Sequence, residues 1–190
     1  GLVAKPLTTS LLGKDMTIAI VPTKVAITNE ELYVGLSTKV RITGGEGGTF
    51  LTTESDVSAA AMAGATGLGV ALDDDIINQL FAGLWAADAM DLSTSIDAIP
   101  ALGALLDDDA RTMDISLSLP PTVSTQTGEL ALSIGDMVVT VRDEAGQEVQ
   151  RMAVSVKTSL AAEPSQSGQI ILTVGAPTVY AQVLAQSDAV

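Results

Sequence analysis

The stretch VALDDDIINQLFAGLWAADAM, residues 70–90, decides the fold of the chain. Its large apolar residues recur at steps of three and four, which places them in one broad stripe on a helix. Asp73, Asp74 and Asp75 suit the start of this helix, because carboxylates accept hydrogen bonds from the unpaired amides of the first turn. The pattern predicts one main amphipathic helix over about residues 73–90. Its stripe consists of Ile76, Ile77, Leu80, Phe81, Leu84 and Trp85.

The segments on both sides of this helix alternate apolar and polar residues, as half-buried strands do. We count about six long strands of this kind, two of them before the helix. Pro22 interrupts the alternation and marks a bulge or a sheet edge, and the shift of phase at Gly135-Asp136 is typical of a bulge. Residues 143–147 form a hairpin loop in this interpretation. Long strands coil as they twist. The sequence therefore predicts an α+β fold in which a long, strongly curved antiparallel meander sheet wraps around the helix.

The composition fits one acidic domain that spans residues 1–190. The chain has 9 Lys and Arg against 23 Asp and Glu, for a formal net charge of −14. Such a surface repels polyphosphates, so we expect no nucleic-acid partner. The chain has no cysteine, which rules out disulfides and thiolate chemistry.

The residue inventory offers little for catalysis or metal binding. The chain has no histidine, no cysteine and no Gly-x-Ser-x-Gly elbow, so the common general bases and nucleophiles are missing. Two aspartate runs, residues 73–75 and 107–109, supply the hard oxygen ligands of a calcium site, but their spacing matches no EF-hand loop. Helix capping and solvation account for both runs. We therefore expect no enzyme activity, no metal and no cofactor.

Four consecutive motifs resemble a known family. They are GLGVALDDDIINQLFAGLWAADAMDL at residues 67–92, IPALGALL at 99–106, DISLSLPP at 114–121 and GELALSIGDMVVTV at 128–141. Their order resembles the later half of a domain from the tubular lipid-binding superfamily, in the branch of bactericidal/permeability-increasing protein and the plasma lipid-transfer proteins. The positions that match the family's helix entry are Asp73, Asp74, Ile76, Ile77, Asn78, Gln79, Leu80, Phe81, Leu84 and Trp85.

The resemblance implies a tube of sheet and helix that holds an acyl chain or a similar apolar ligand. That family's domain normally starts with a second long helix, and residues 1–14 are too short to form it. We therefore expect a fragment that lacks an N-terminal helix, a protein partner that covers the helix or a sheet edge, or a domain that does without the second helix. The basic tip that binds bacterial lipopolysaccharide in the family has no counterpart here, so a host-defence role is not carried over.

These observations lead to two hypotheses of different classes. In the first, the protein is a non-enzymatic carrier of a lipid in a tunnel between helix and curved sheet, in an extracytoplasmic compartment such as the periplasm. The six stripe residues would then line the lipid site, since each buried methylene contributes about 0.8 kcal/mol. In the second, the same side chains pack against the sheet as a solid core, and the protein is a structural or interaction module of a larger extracytoplasmic assembly.

Overall fold

The computed structural model describes residues 5–27, 32–45, 71, 73–98, 109–126, 129–164 and 170–186. In chain order the elements are β1 (Leu7–Leu11), β2 (Lys14–Ile27), β3 (Leu32–Ile42), α1 (Asp74–Ala86), β4 (Leu92–Ser95), a 3-10 turn (Ile96–Ala98), β5 (Thr112–Leu117), β6 (Thr122–Gln126), β7 (Glu129–Arg142), β8 (Glu148–Pro164), β9 (Ile170–Val174) and β10 (Thr178–Gln186). The strands pair antiparallel and one α-helix accompanies them, so the α+β prediction is confirmed.

The chain forms two compact units. The first unit contains residues 1–89 together with Thr122–Thr125, which lie in β6. The second unit contains residues 90–121 and 126–190. The prediction of a single domain over the whole chain stays a prediction.

The first unit holds a three-stranded sheet in the order β1-β2-β3. Its register shifts between Pro22 and Lys24, which confirms the bulge predicted at the proline. β1 pairs only with residues 14–18 of β2. Beyond that point β2 and β3 continue as a two-stranded stretch, residues 19–27 and 32–39, which we call the far ribbon.

The second unit holds an antiparallel sheet in the order β10-β8-β7-β5-β4, strongly curled into a half-barrel, with β9 also paired to β8. Its register shifts between Ile134 and Met137, and Asp136 has a φ of 48°, so the predicted bulge is confirmed. The predicted hairpin loop joins β7 to β8, closed by a hydrogen bond from Asp143 N to Gln147 O of 3.0 Å. The buried core of this unit consists of Ile96, Ala110, Met113, Val139 and Val141.

The helix ends four residues earlier than the predicted boundary. Asp88 adopts the left-handed conformation, with a φ of 52°. The amides of Asp88 and Ala89 donate to Trp85 O and Leu84 O, at 3.0 and 2.9 Å. This is the Schellman arrangement, which stops a helix by turning the chain back over its last carbonyls.

Several predictions concern segments that the structure does not describe, and two observed strands were not predicted. The sequence also predicts a turn at residues 29–31 and a short strand at 50–56. These two segments, the run at 99–106 and the aspartates 107–108 lie outside the described residues. β1 and β4 are additional short strands that the alternation pattern did not indicate.

Within the described part of the chain, no helix has both the length and the apolar character needed to cross a membrane.

Candidate functional site

The most deeply buried row of α1 begins with two polar side chains. Asp74 and Asn78 are only 3% and 2% exposed, and Ala82 follows four residues later at 1%. Residues spaced by four stand one above the other on a helix. Buried polar groups are costly unless they are hydrogen-bonded, so this row requires partners.

β6 supplies those partners through its backbone. Asn78 accepts a hydrogen bond from Val123 N at 2.7 Å and donates one to Val123 O at 2.9 Å. Asp74 Oδ2 accepts from Thr125 N at 3.0 Å and from Thr125 Oγ1 at 3.3 Å. The backbone groups of alternate strand residues point to the same edge. The two side chains therefore bind one edge of β6 as a neighbouring strand would.

Gln79, the residue after Asn78 in α1, binds the edge of β3 in a similar way. Gln79 Oε1 accepts a hydrogen bond from Val40 N at 3.2 Å. Further along the helix, a Cβ built on Gly83 would lie 2.8 Å from Ile42 Cγ1, and one on Gly45 would lie 2.1 Å from Gly83 O. Only glycine permits this approach of backbone to backbone. The close contact brings α1 near enough for a glutamine side chain to reach the strand.

The structure places the six predicted ligand residues at two levels of burial. Leu84 is 2% exposed and belongs to the core of the first unit. The other five keep part of their surface accessible, and they are Ile76, Ile77, Leu80, Phe81 and Trp85. Most residues of the apolar stripe are therefore only half-buried, whereas Asp74 and Asn78 are buried.

The apolar face of β2 and β3 continues past the helix. Opposite residues in an antiparallel pair share a face, and Val25 lies opposite Val34 while Ile27 lies opposite Leu32. On the same face Ile42 is fully buried, but Ile27 and Leu32 are 78% and 67% exposed. We call this uncovered part the open aliphatic face. It consists of Val25, Ile27, Leu32, Val34 and Leu36.

Two of the three aspartates at the start of α1 make hydrogen bonds that order the structure. Asp73 is the N-cap, since its Oδ1 accepts from Asp75 N at 2.9 Å, and Asp74 binds β6. Each of the three carboxylates offers an oxygen within 4.8 Å of the other two. Carboxylates at a helix N-terminus also complement the helix dipole.

A separate polar cluster lies on β5 and β7 of the second unit. Arg142 Nε donates to Asp114 Oδ2 at 2.9 Å, and Ser93 Oγ donates to Asp114 Oδ1 at 2.7 Å. The hydrogen bond from Arg142 and then that from Ser93 hold the pKa of Asp114 below its ordinary value. Both charged side chains are about two-fifths exposed, so water screens the pair.

Sequence reasoning did not identify Asp74 and Asn78 as the residues that bind a strand edge. Their spacing of four, continued by Ala82, was the available signal. The apolar stripe masked it, because a stripe predicts which side is buried but not that a polar row is buried as well.

Comparison of the chain with protein-family models, with curated proteins and with solved structures gives no significant match. The resemblance to the tubular lipid-binding superfamily stays a prediction.

Proposed function

We propose that this protein binds a lipid or another apolar molecule without catalysing a reaction. The observation that carries the proposal is the open aliphatic face, which α1 leaves uncovered. Contiguous exposed apolar surface on a protein marks a binding site for an apolar ligand or partner. The five residues of this face carry no charge, which suits a hydrocarbon chain.

Both lysines of the far ribbon are on its other face. Lys39 lies opposite Ala19, and Lys24 lies opposite Gly35, in register positions that alternate with the aliphatic ones. A ligand tail on the open aliphatic face therefore meets no charged side chain. Each methylene that is removed from water there stabilises the complex by about 0.8 kcal/mol, so a long tail binds without a charged anchor.

The half-buried residues of α1 extend the same chemistry. Phe81 and Trp85 are large and keep accessible surface in the described structure. We propose that they and the other half-buried stripe residues contact the ligand, and that the protein works in an extracytoplasmic compartment.

The test starts from co-purified material and then uses a probe. The purified protein is extracted with organic solvent and the extract is analysed by mass spectrometry, after which a fluorescent fatty acid is titrated and displaced. The variant Leu36→Glu places a charge on the open aliphatic face. We expect it to weaken probe binding about tenfold or more, because a carboxylate beside a hydrocarbon chain loses its hydration.

Ser37→Glu is the matched control, since the neighbouring residue is also exposed but points to the opposite face of β3. It should bind the probe as the unmodified protein does. Circular dichroism of both variants checks that the fold is kept. A lipid-free extract together with no probe binding contradicts the proposal, and so does an equal loss in the two variants.

A further inference from the structure

The strand edges of the described structure differ in how they are protected. The edge of β6 is bound by Asp74 and Asn78, and that of β3 receives Gln79. In the curled sheet β4 and β10 are the two end strands. β4 has only four residues, whereas β10 has nine. Short length is one of the ways in which proteins keep an edge from pairing, so β10 is the long edge without that protection.

β10 has no charged residue or proline, which protect strand edges, although its register shifts near its C-terminal end. Its sequence, TVYAQVLAQ, contains no charge, no proline and no glycine. All nine residues are exposed, including Val179 at 56%, Tyr180 at 63% and Val183 at 51%. Residues 178–183 pair with β8 in unbroken register, and the shift comes only after Val183. This stretch is therefore a regular template for another strand.

We propose that β10 pairs antiparallel with β10 of a second copy of this chain, about a two-fold axis at Ala181. The inference goes beyond lipid binding and does not depend on it. In this register Val179 of one copy lies opposite Val183 of the other, twice, with the two Ala181 residues between them. Tyr180 lies opposite Gln182 on the other face. Valine and tyrosine are favourable in such a strand, because they pack well on a pleated surface.

The charge distribution favours a second copy at this edge. Two copies of a chain with a net charge of −14 repel each other. However, residues 150–157 of β8, which pair with β10 in the same chain, contain no carboxylate. Their charged residues are Arg151 and Lys157. The absence of carboxylates from β10 and from its neighbour in the sheet therefore reduces the repulsion between two copies that meet at this edge.

An engineered cysteine tests the register directly, because the chain has none of its own. In the variant Ala181→Cys the two thiols face each other across the proposed axis, within disulfide reach. We expect mild oxidation to yield a covalent dimer about 100-fold faster than in Ser116→Cys, since neighbouring thiols have a millimolar effective concentration. Ser116 is exposed on β5, inside the sheet. Equal rates in the two variants overturn the proposal.

Light scattering after size-exclusion chromatography tests the association itself. The unmodified chain should elute at twice its mass of 19.3 kDa. Val183→Lys should return it to one copy, because a lysine on an edge opposes pairing. Leu92→Lys, on the other end strand, should leave the dimer intact. A monomer at every concentration, or a dimer that Val183→Lys does not dissociate, contradicts the proposal.

Discussion

β6 and β10 show two ways of treating a strand edge. The groups at one edge of β6 are bound by the buried side chains of Asp74 and Asn78. β10 is an end strand of its sheet, with all nine residues exposed. A helix can therefore close a sheet edge when its polar side chains replace the backbone groups of a neighbouring strand. A strand without such a helix stays open to a partner.

Polar residues have different roles in the two regions. Asn78 is buried, and its side chain accepts a hydrogen bond from Val123 N and donates one to Val123 O, as the backbone of a neighbouring strand would. Gln182, on β10, is exposed. Asn78 should therefore be essential to stability, whereas Gln182 should not.

Removing the side chain of Asn78 gives the largest effect. Asn78→Ala leaves Val123 N and Val123 O buried without their partner, and an unsatisfied buried group costs about 1–3 kcal/mol. We expect a loss of about 3 kcal/mol in the free energy of unfolding, measured by urea denaturation. Gln182→Ala, at low protein concentration, should change it by less than about 0.5 kcal/mol. If the two variants lose equal stability, the contrast between the edges does not exist.

The close approach at Gly83 gives the next effect. In Gly83→Ala the new Cβ meets Ile42 Cγ1 at 2.8 Å, so the helix must shift away from β3. Overpacking of this kind costs about 1–3 kcal/mol, more than the gain of about 1 kcal/mol from the better helix propensity of alanine. Thermal unfolding should show a net loss of about 1 kcal/mol or more.

The double variant Gly83→Ala with Ile42→Ala serves as the control for that clash. Ile42→Ala removes the atom that the new methyl group meets. The two substitutions together should therefore cost less than the sum of the single losses. Strict additivity would show that the contact does not limit the approach of the helix.

The helix end offers a stabilising change. Asp88 has a φ of 52° and a negative charge just past the helix C-terminus, where the dipole disfavours it. Asp88→Asn keeps a side chain that tolerates the left-handed conformation and removes the charge. The free energy of unfolding should rise by about 0.5 kcal/mol. Asp91→Asn, also exposed but beyond the helix end, is the control and should have a smaller effect.

The exposed ion pair of Asp114 and Arg142 gives the smallest effect and a pH signature. The pKa of Asp114 is lowered in the folded state by the hydrogen bonds from Arg142 and Ser93. Its stabilising contribution is therefore complete above the unfolded value of about 3.9 and is lost as the pH falls through the folded value. Arg142→Gln should cost about 0.5 kcal/mol at neutral pH. That difference from the unmodified protein should vanish in acid, and a difference that grows in acid contradicts the assignment.

The sequence predicted the regular elements because their signals are local. Alternation indicated β2, β3, β7 and β8, and the bulges at Pro22 and at Gly135-Asp136 were visible as changes of phase. The start of α1 followed from its aspartates. Its end did not, because a left-handed Asp88 is compatible with the sequence but not required by it. β1 and β4 escaped prediction because strands of five and four residues contain too few alternations.

The sequence could not predict the burial of the stripe residues or the open aliphatic face, for a different reason. The six stripe residues could be named from spacing, but their burial depends on what packs against them, and Leu84 alone is sealed. The open aliphatic face could not be recognised, because the alternation is the same along the covered and the uncovered parts of β3.

Local sequence was enough to predict the α+β class, the strand phases and the position of α1, because each depends on residues that are neighbours in the chain. The net acidic charge follows from composition alone. Tertiary contacts were needed to show that Asp74 and Asn78 close the edge of β6, that Gln79 reaches β3, and that β10 is an end strand of its sheet. Those outcomes depend on which backbone groups lack a strand partner once the sheets have formed. Residues 45 positions apart in the chain, such as Asn78 and Val123, meet only then.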